Sequence, residues 1–290
     1  MANSNGWGDG AANNNIGWGQ GANNAIGWGS SHATSWAGAT DISGAPTTDP
    51  DAQAFITAAS ITNPTQQSAI NDLVIGLKAD GLWTKTKAVY PFVGGSATSN
   101  SYNLKNTAQY QLSFSGGATH NSNGYTGGVN GYANTGLNPN TAFITNDSFH
   151  MSIYSRTNSI LDGADLGGIN ASARTDLWLR SSDGNCYNRV HLNGIVTANA
   201  NSTGIYISTR NSSTSLKLFK NNSQLGSTYT GANGARLDVN MFLGAYAVGT
   251  TPTYYSQRNY AFASIGDGLS DAESTNLNNR INTFNTTLGR

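Results

Sequence analysis

The chain has 290 residues, enough for one large domain with an appendage or for two modest domains. Charged residues make up only 10% of it, and the formal net charge is zero. Binding to nucleic acid or to an anionic membrane surface requires clustered Lys and Arg, so this composition argues against both. A neutral polar surface suits a protein packed at high local concentration; an Asn-rich composition that has merely drifted explains it equally well.

The cysteine count and the amino terminus indicate the cellular compartment in which the chain is made. The chain has one cysteine, Cys186, which excludes an intrachain disulfide. Residues 1–5 lack the basic and apolar regions of a secretory signal, and no run approaches the roughly 18 apolar residues of a membrane span. We expect synthesis and folding in a cytoplasm, without membrane insertion.

A tryptophan–glycine phrase repeats through residues 1–48, the first predicted unit. Its apolar residues are too few to offset the entropy of ordering its glycines, and such repeats become ordered by stacking on neighbours or on copies of themselves. Peptide docking into a partner's pocket is an alternative; stacking on bases is disfavoured because residues 1–31 contain no Lys or Arg. We predict an oligomerisation or attachment arm whose contact residues are Trp7, Ile16, Trp18, Ile26, Trp28 and Trp36.

Residues 49–82 form a predicted helical unit. Asn63 precedes Pro64, and Gln66 stands at the third helical position, which predicts a capping box. Apolar residues follow at helical spacing, and Gly81 occupies the position of a C-terminal cap. A shorter helix is predicted over residues 51–59. Two short helices cannot enclose a core, so we expect them to lie against the next unit or a partner.

Residues 83–290 are predicted to form an antiparallel β-sandwich or jelly roll, because short apolar strands alternate with Gly, Asn and Ser turns. The strands are predicted over residues 87–92, 110–114, 131–133, 148–156, 176–180, 190–192, 204–209, 215–220, 238–244 and 260–265. A final helix begins with a capping box of Ser270 and Glu273 and ends near Gly289. We expect its apolar stripe, Leu277, Ile281, Phe284 and Leu288, to pack across one sheet or at its edge.

The order of the predicted strands and the last helix in the second half of the chain resembles that of concanavalin A-like, laminin-G-like jelly rolls. The resemblance is carried by the hairpin at residues 215–226, the segments 242–245 and 261–266, and the Leu-Ser-Asp-x-Glu entry into the last helix. Residues 52–133, with segments 65–67, 81–83, 90–95 and 130–133, also resemble modules of phage and prophage structural proteins. That resemblance implies a virion fibre or appendage with a variable N-terminal attachment segment. It also implies a homo-oligomer, commonly a trimer.

Catalytic and metal sites are not predicted, and no cofactor is expected. Glycosidases need two carboxyl groups near the scissile bond, whereas the single glutamate, Glu273, is explained by its cap. Asp162 and Asp165 allow a calcium site or, more simply, an Asx turn. The histidines lack zinc-site spacing and are interpreted as surface or half-buried strand residues: His32, His120, His150 and His191.

Carbohydrate binding is the main alternative to a purely structural role. Aromatic platforms beside amides bind sugars, and the candidates are Tyr125, Tyr132, Trp178, Tyr187, Tyr254 and Tyr255. The sequence does not place these residues together, and Trp178 fits a core position as well as a platform. We predict a non-enzymatic virion structural protein, a head or tail fibre-like appendage. The alternatives are a carbohydrate-binding adhesin that meets a host surface glycan and, third, an unusual glycan hydrolase.

Overall fold

The strands between residues 48 and 290, which the computed structural model describes, form two sheets stacked face to face. Sheet A has the strand order β13-β12-β11-β6-β17-β4-β3, with β1 also paired to β17. Its strands are β1 (Thr86–Tyr90), β3 (Thr119–Asn121), β4 (Gly124–Thr126), β6 (Phe149–Ser155), β11 (Gly204–Ser212), β12 (Ser215–Lys220), β13 (Ser223–Gln224) and β17 (Asn259–Gly266).

Sheet B has the order β10-β9-β8-β7-β14-β5-β2, with β15 parallel to β7 and β16 antiparallel to β15. Its strands are β2 (Ser113–Ser115), β5 (Tyr132–Asn134), β7 (Leu166–Ile169), β8 (Arg174–Trp178), β9 (Asn185–Val190), β10 (Asn193–Ala198), β14 (Phe242–Leu243), β15 (Tyr246–Val248) and β16 (Thr251–Thr253). The predicted fold class, a mainly antiparallel β-sandwich with a C-terminal helix, is confirmed.

The helices of the described chain are α1 (Pro50–Ala58), α2 (Pro64–Ala79), α3 (Leu82–Lys85), α4 (Ala97–Ser101), α5 (Pro139–Ala142) and α6 (Asp271–Thr287). The longer ones, α1, α2 and α6, pack on the outer face of sheet A, where Ile70 and Ile281 share an apolar cluster with Phe262. The rings of Phe262 and Phe284 meet edge to face at 6.3 Å. The C-terminal helix therefore packs across one sheet, as expected.

Sheet A is consequently buried on both faces. Along β17 the side chains divide between two cores: Phe262 contacts the helices, whereas Tyr260 and Ile265 contact sheet B, and the pairing register shifts between Tyr260 and Phe262. Each large apolar side chain buried in this way contributes about 1.5–3 kcal/mol. Sheet B contributes only its inner face to the main core, through residues such as Leu177 and Leu243. Within residues 48–290, no helix covers the outer face of sheet B, which we call the free face.

The predicted caps are largely observed. Ser270 and Glu273 form a reciprocal capping box, and Gly289 ends α6 with a φ of 69°. Asn63 caps α2 as predicted, but the side chain of Gln66 does not complete the box. Its Oε1 atom instead accepts a hydrogen bond from the backbone N–H of Gly94, which ties the helix to the loop after β1.

One strand prediction is displaced for a reason of backbone geometry. Residues 190–192 were expected to be a strand, whereas β9 ends at Val190 and a two-residue turn follows. Both turn residues, His191 and Leu192, have positive φ angles of 58° and 94°. Asn and Gly are the residues that favour such a turn, so neither side chain signals it.

The predicted contact residues of the arm, Trp7, Ile16, Trp18, Ile26, Trp28 and Trp36, lie outside the described residues. Between Thr48 and Arg290, no helix combines the length and the apolar run that crossing a lipid bilayer requires.

Candidate functional site

Four aromatic side chains gather on the free face and form what we call the aromatic patch: Trp178, Tyr187, Tyr246 and Tyr254. Trp178 on β8 lies directly opposite Tyr187 on β9, so the antiparallel register brings these two together. Tyr246 comes from β15, and Tyr254 from the loop after β16. The sheet topology therefore assembles the patch from segments that are distant in sequence.

Trp178 is the centre of the patch. Its ring centroid lies 5.3 Å from that of Tyr254, 5.7 Å from that of Tyr246 and 6.5 Å from that of Tyr187. Trp178 is only 8% exposed, whereas Tyr254 is 54% exposed and has a strained φ of 47°. The ring of Tyr254 is therefore a solvent-facing platform supported from below by two buried rings.

Three charged side chains lie beside the patch and form what we call the charged row: Arg174, Asp176 and Arg189. The Asp176 carboxylate, fully buried, accepts a hydrogen bond from Nε of Arg174 and another, at 2.9 Å, from Nε of Arg189. The Arg189 guanidinium stacks 4.8 Å from the Tyr187 ring centroid, and that of Arg174 lies 5.2 Å from that of Tyr246. Rings and ion pairs thus fix the orientation of both guanidinium groups.

The opposite end of the patch carries a carboxylate. The hydroxyl of Tyr187 donates a hydrogen bond to Asp183 Oδ2 at 2.5 Å. This bond, with those from Asn185, lowers the pKa of Asp183. The side chain of Tyr187 therefore contacts a negative group at its hydroxyl and the positive Arg189 at its ring.

A second aromatic cluster and a polar cleft occupy the other part of the free face. Tyr132, Phe242 and Tyr255 pack with centroid separations of 4.9 and 6.3 Å. The adjacent cleft has a volume of about 290 Å³. Its lining is rich in amides and consists of Asn134, Asn138, Asp238, Val239, Asn240, Phe242, Gly249 and Thr250. Amide donors and acceptors next to an aromatic ring match the polar edges and apolar faces of small polar ligands.

The six aromatic residues proposed from the sequence lie in three different places in the structure. Trp178, Tyr187 and Tyr254 meet in the aromatic patch, and Tyr132 and Tyr255 meet in the second cluster. Tyr125 is different: it is fully buried in the core between the sheets, where its hydroxyl donates to the Leu243 carbonyl at 3.3 Å. It therefore does not belong to the free face.

Asp162 and Asp165 do not form a calcium site, and neither makes the predicted Asx turn. Asp162 accepts hydrogen bonds from Ser181 Oγ and from the Ser182 backbone N–H. Asp165 is fully buried and forms an ion pair with Arg258 at 3.0 Å. Among residues 48–290, no three His, Cys, Asp or Glu side chains converge in a way that would hold a metal ion.

The histidines are more deeply buried than the sequence suggested. His150 and His191 are fully buried, which corrects their interpretation as surface or half-buried residues. His120 lies against the Phe114 ring at 4.4 Å, and its Nδ1 is 3.0 Å from Asn100 Nδ2. His32 lies outside the described residues.

Sequence reasoning missed Arg174, Asp176, Arg189 and Tyr246 as members of the candidate site. The sequence did contain a signal for Arg174 and Asp176: they stand four and two residues before Trp178 on one strand, and alternate residues of a strand share a face. Tyr246 had no comparable signal, because only the parallel pairing of β15 with β7 brings it to Trp178.

Comparison with known proteins identifies no family for the chain. No protein-family model and no curated protein sequence matches it. Among solved structures, it is similar to a mutant of Trypanosoma rangeli sialidase displaying trans-sialidase activity, at 11% identity and a TM-score of 0.49. The match covers 77% of this chain and 40% of the sialidase, so the chain spans two fifths of that protein's length.

Two further similarities are of the same order. Domain 4 of AbnA, an extracellular arabinanase from Geobacillus stearothermophilus solved in complex with arabinotriose, is 13% identical with a TM-score of 0.41. That match covers 67% of this chain and 98% of the domain. The botulinum neurotoxin serotype D binding domain is 13% identical with a TM-score of 0.43, covering 67% of this chain and 51% of that one. Similarities this weak do not bear on function.

Proposed function

We propose that this chain is a carbohydrate-binding protein and that its ligand lies on the free face of sheet B. The observation that carries the proposal is the aromatic patch, in which Tyr254, 54% exposed, packs against Trp178 and Tyr246. The C–H face of a sugar ring stacks on such a platform, while its hydroxyl groups hydrogen-bond to neighbouring polar side chains.

The location of the polar groups supports the same proposal. The amide-lined cleft next to Phe242 lies on the same face of sheet B and supplies donors and acceptors from Asn134, Asn138 and Asn240. On the outer face of sheet A, helices cover the apolar side chains around Phe262. A saccharide of several units is the ligand that best suits the extended free face of sheet B.

We further propose that the protein works as a virion appendage, with residues 1–48 as its attachment or oligomerisation arm. The tryptophan–glycine repeat and the resemblance of residues 52–133 to phage structural modules support this part of the proposal. The partners would be sister chains, with a trimer favoured, and other virion proteins. The sandwich would then present its free face to a glycan of the host surface.

The proposal includes no catalysis. A glycosidase uses one carboxyl group as a proton donor and a second as nucleophile or base. On the free face, both carboxylate oxygens of Asp176 already accept hydrogen bonds, one from Arg174 and one from Arg189. Glu273 caps α6 and forms an ion pair with Lys85 on the opposite side of the sandwich.

A glycan array followed by titration calorimetry on the full chain tests carbohydrate binding. Tyr254→Ala removes the exposed platform, and we expect it to weaken binding about tenfold, since one stacked aromatic ring contributes about 0.5–1.5 kcal/mol beyond its buried area. Ile144→Ala is the matched control: it removes a 99% exposed apolar side chain outside the patch. Binding that survives Tyr254→Ala unchanged would contradict the proposal.

The role of the arm needs a different measurement. Deleting residues 2–36 removes the predicted contact residues and leaves the sandwich with its own core. Light scattering should then show a smaller oligomer than the full chain, and incorporation into particles should be lost. A truncated chain with unchanged mass and incorporation would show that the arm has neither role.

A further inference from the structure

The charged row beside the aromatic patch points to the class of saccharide. We infer that the ligand carries a carboxylate and that this group lies against the guanidinium groups of Arg174 and Arg189. The inference rests on the proposed carbohydrate binding and adds the chemical class of the ligand to it.

Both guanidinium groups have unused donors. Arg174 and Arg189 each give Nε to Asp176, and neither uses its terminal nitrogens in a hydrogen bond to any residue between 48 and 290. Their side chains remain 25% and 18% exposed, so solvent and ligand reach them. The planar fork of a guanidinium group matches a carboxylate with two parallel hydrogen bonds.

The charge balance favours an anion. Two guanidinium groups and one carboxylate leave the row with one positive charge, in a chain whose formal net charge is zero. Because Asp176 is fully buried beneath them, it holds the arginines in place without occupying their outer edges. A ligand carboxylate therefore completes a second ion pair on the outer side of the row.

Glycines keep the row uncovered. Gly167 on β7 lies opposite Asp176, and Gly194 on β10 lies opposite Arg189. The neighbouring pair Asp176 and Arg189 therefore has a glycine, with no side chain, on each side of it in the sheet. These positions tolerate nothing larger: a Cβ at Gly194 would lie 1.9 Å from the Asn188 carbonyl oxygen, and one at Gly167 would lie 2.2 Å from that of Thr175. No side chain from β10 therefore stands beside Arg189, whose own side chain stays 18% exposed.

The same geometry orients the ligand. Arg189 lies over the face of the Tyr187 ring, whereas Asp183 lies at the hydroxyl end of that side chain. A sugar stacked on the patch would place its carboxylate toward Arg189, because Asp183 repels it at the other end. Neutral hydroxyl groups of the sugar remain free to donate to Asp183.

Paired probes test the inference. We would print tetragalacturonate beside its methyl ester, and sialyllactose beside lactose, and measure affinities with the full chain. We expect at least one acid to bind about tenfold more tightly than its neutral partner, because a hydrogen bond to a charged group contributes about 1.5–3 kcal/mol. Sulfated lactose distinguishes a carboxylate from another anion, and polyglutamate tests an acidic protein partner.

Arg189→Gln should remove most of this preference, because it lowers the affinity for the acid far more than the affinity for its neutral partner. Asp176 keeps Arg174 as its partner in this variant, and an unchanged thermal unfolding midpoint will verify the fold. Arg156→Gln is the matched control, because it also removes one positive charge, but from a cleft beside β6 and β11 of sheet A. It should keep the preference.

The outcomes separate the two proposals. Equal binding of acid and neutral partner, lost in Tyr254→Ala, would overturn the carboxylate inference and leave carbohydrate binding intact. A preference for sulfated lactose or for polyglutamate over the carboxylated sugars would also overturn the inference. No binding of any saccharide would overturn both.

Discussion

The ion pair between Asp165 and Arg258 is buried on both sides and is surrounded by hydrogen bonds. Asp165 also accepts from the hydroxyls of Tyr260 and Ser256 and from the Leu179 backbone N–H, at 2.6, 2.9 and 2.7 Å. Burial and the neighbouring negative charge raise the pKa of Tyr260, so its phenol remains a donor. Each buried charge depends on the other, because a lone one would pay the full cost of desolvation.

Asp165→Asn removes the negative charge and leaves the Arg258 guanidinium buried without a counter-charge. We expect the free energy of unfolding to fall by about 3–5 kcal/mol, measured by urea denaturation. Lys217→Gln is the control, since it breaks the ion pair with the exposed Asp271 and should cost less than about 1 kcal/mol. Similar losses in the two variants would mean that the buried network does not stabilise the sandwich.

Sequence patterns located individual elements well where local chemistry decides them. The turn at Asn221 and Asn222 has positive φ angles of 48° and 67°, which asparagine tolerates, and the hairpin of β12 and β13 was predicted there. The turn at His191 and Leu192 has the same geometry without the residues that signal it. Short strands such as β7, rich in glycine, likewise lack the alternation by which a strand is recognised.

The N-terminus of α6 is the element whose local signal is most complete. Ser270 Oγ accepts from the Glu273 backbone N–H at 3.2 Å, and Glu273 Oε2 accepts from the Ser270 N–H at 2.8 Å. We expect Ser270→Ala to lower the free energy of unfolding by about 1 kcal/mol in the same urea assay. Ser270→Thr keeps the acceptor oxygen and should restore most of it; an equal loss in both variants would contradict the capping role.

At the scale of the whole molecule, the sequence predicted that the last helix packs on a sheet but not which sheet face is left free. Phe262 and Tyr260 lie two residues apart on one strand and enter different cores, because the pairing register shifts between them, and the strand's own sequence does not signal this shift. The candidate site was equally hidden, because Trp178, Tyr246 and Tyr254 are joined only by sheet topology. Buried charges such as Asp165 look like turn residues until their partners are known.

Acid stability is also a property of the whole molecule. Burial lowers the pKa of His150 and of His191 to about 4, compared with an ordinary value of 6.5. Both are therefore neutral when folded, while the unfolded chain takes up their protons below its own pKa. Stability is thus fully present above about pH 6.5 and falls as the pH drops toward 4, by about 3 kcal/mol for each histidine at most.

Urea denaturation at pH 7 and pH 4.5 measures this loss directly. His150→Asn removes one of the two groups, so we expect the difference in unfolding free energy between the two pH values to shrink by about 2–3 kcal/mol. His120→Asn is the comparison, because His120 is not fully buried and should change the difference less. An unchanged pH difference in His150→Asn would assign the acid sensitivity to other groups.

The burial of Cys186 gives the protein a practical advantage for labelling. It is the only cysteine in the chain, it is fully buried, and burial raises the pKa of its thiol. Since the thiolate is the reactive species, maleimide reagents should leave the folded native chain unmodified. A Val196→Cys variant would place a single reactive thiol at a 56% exposed position opposite Tyr187. One fluorophore attached there would report directly on the arrival of a ligand at the aromatic patch.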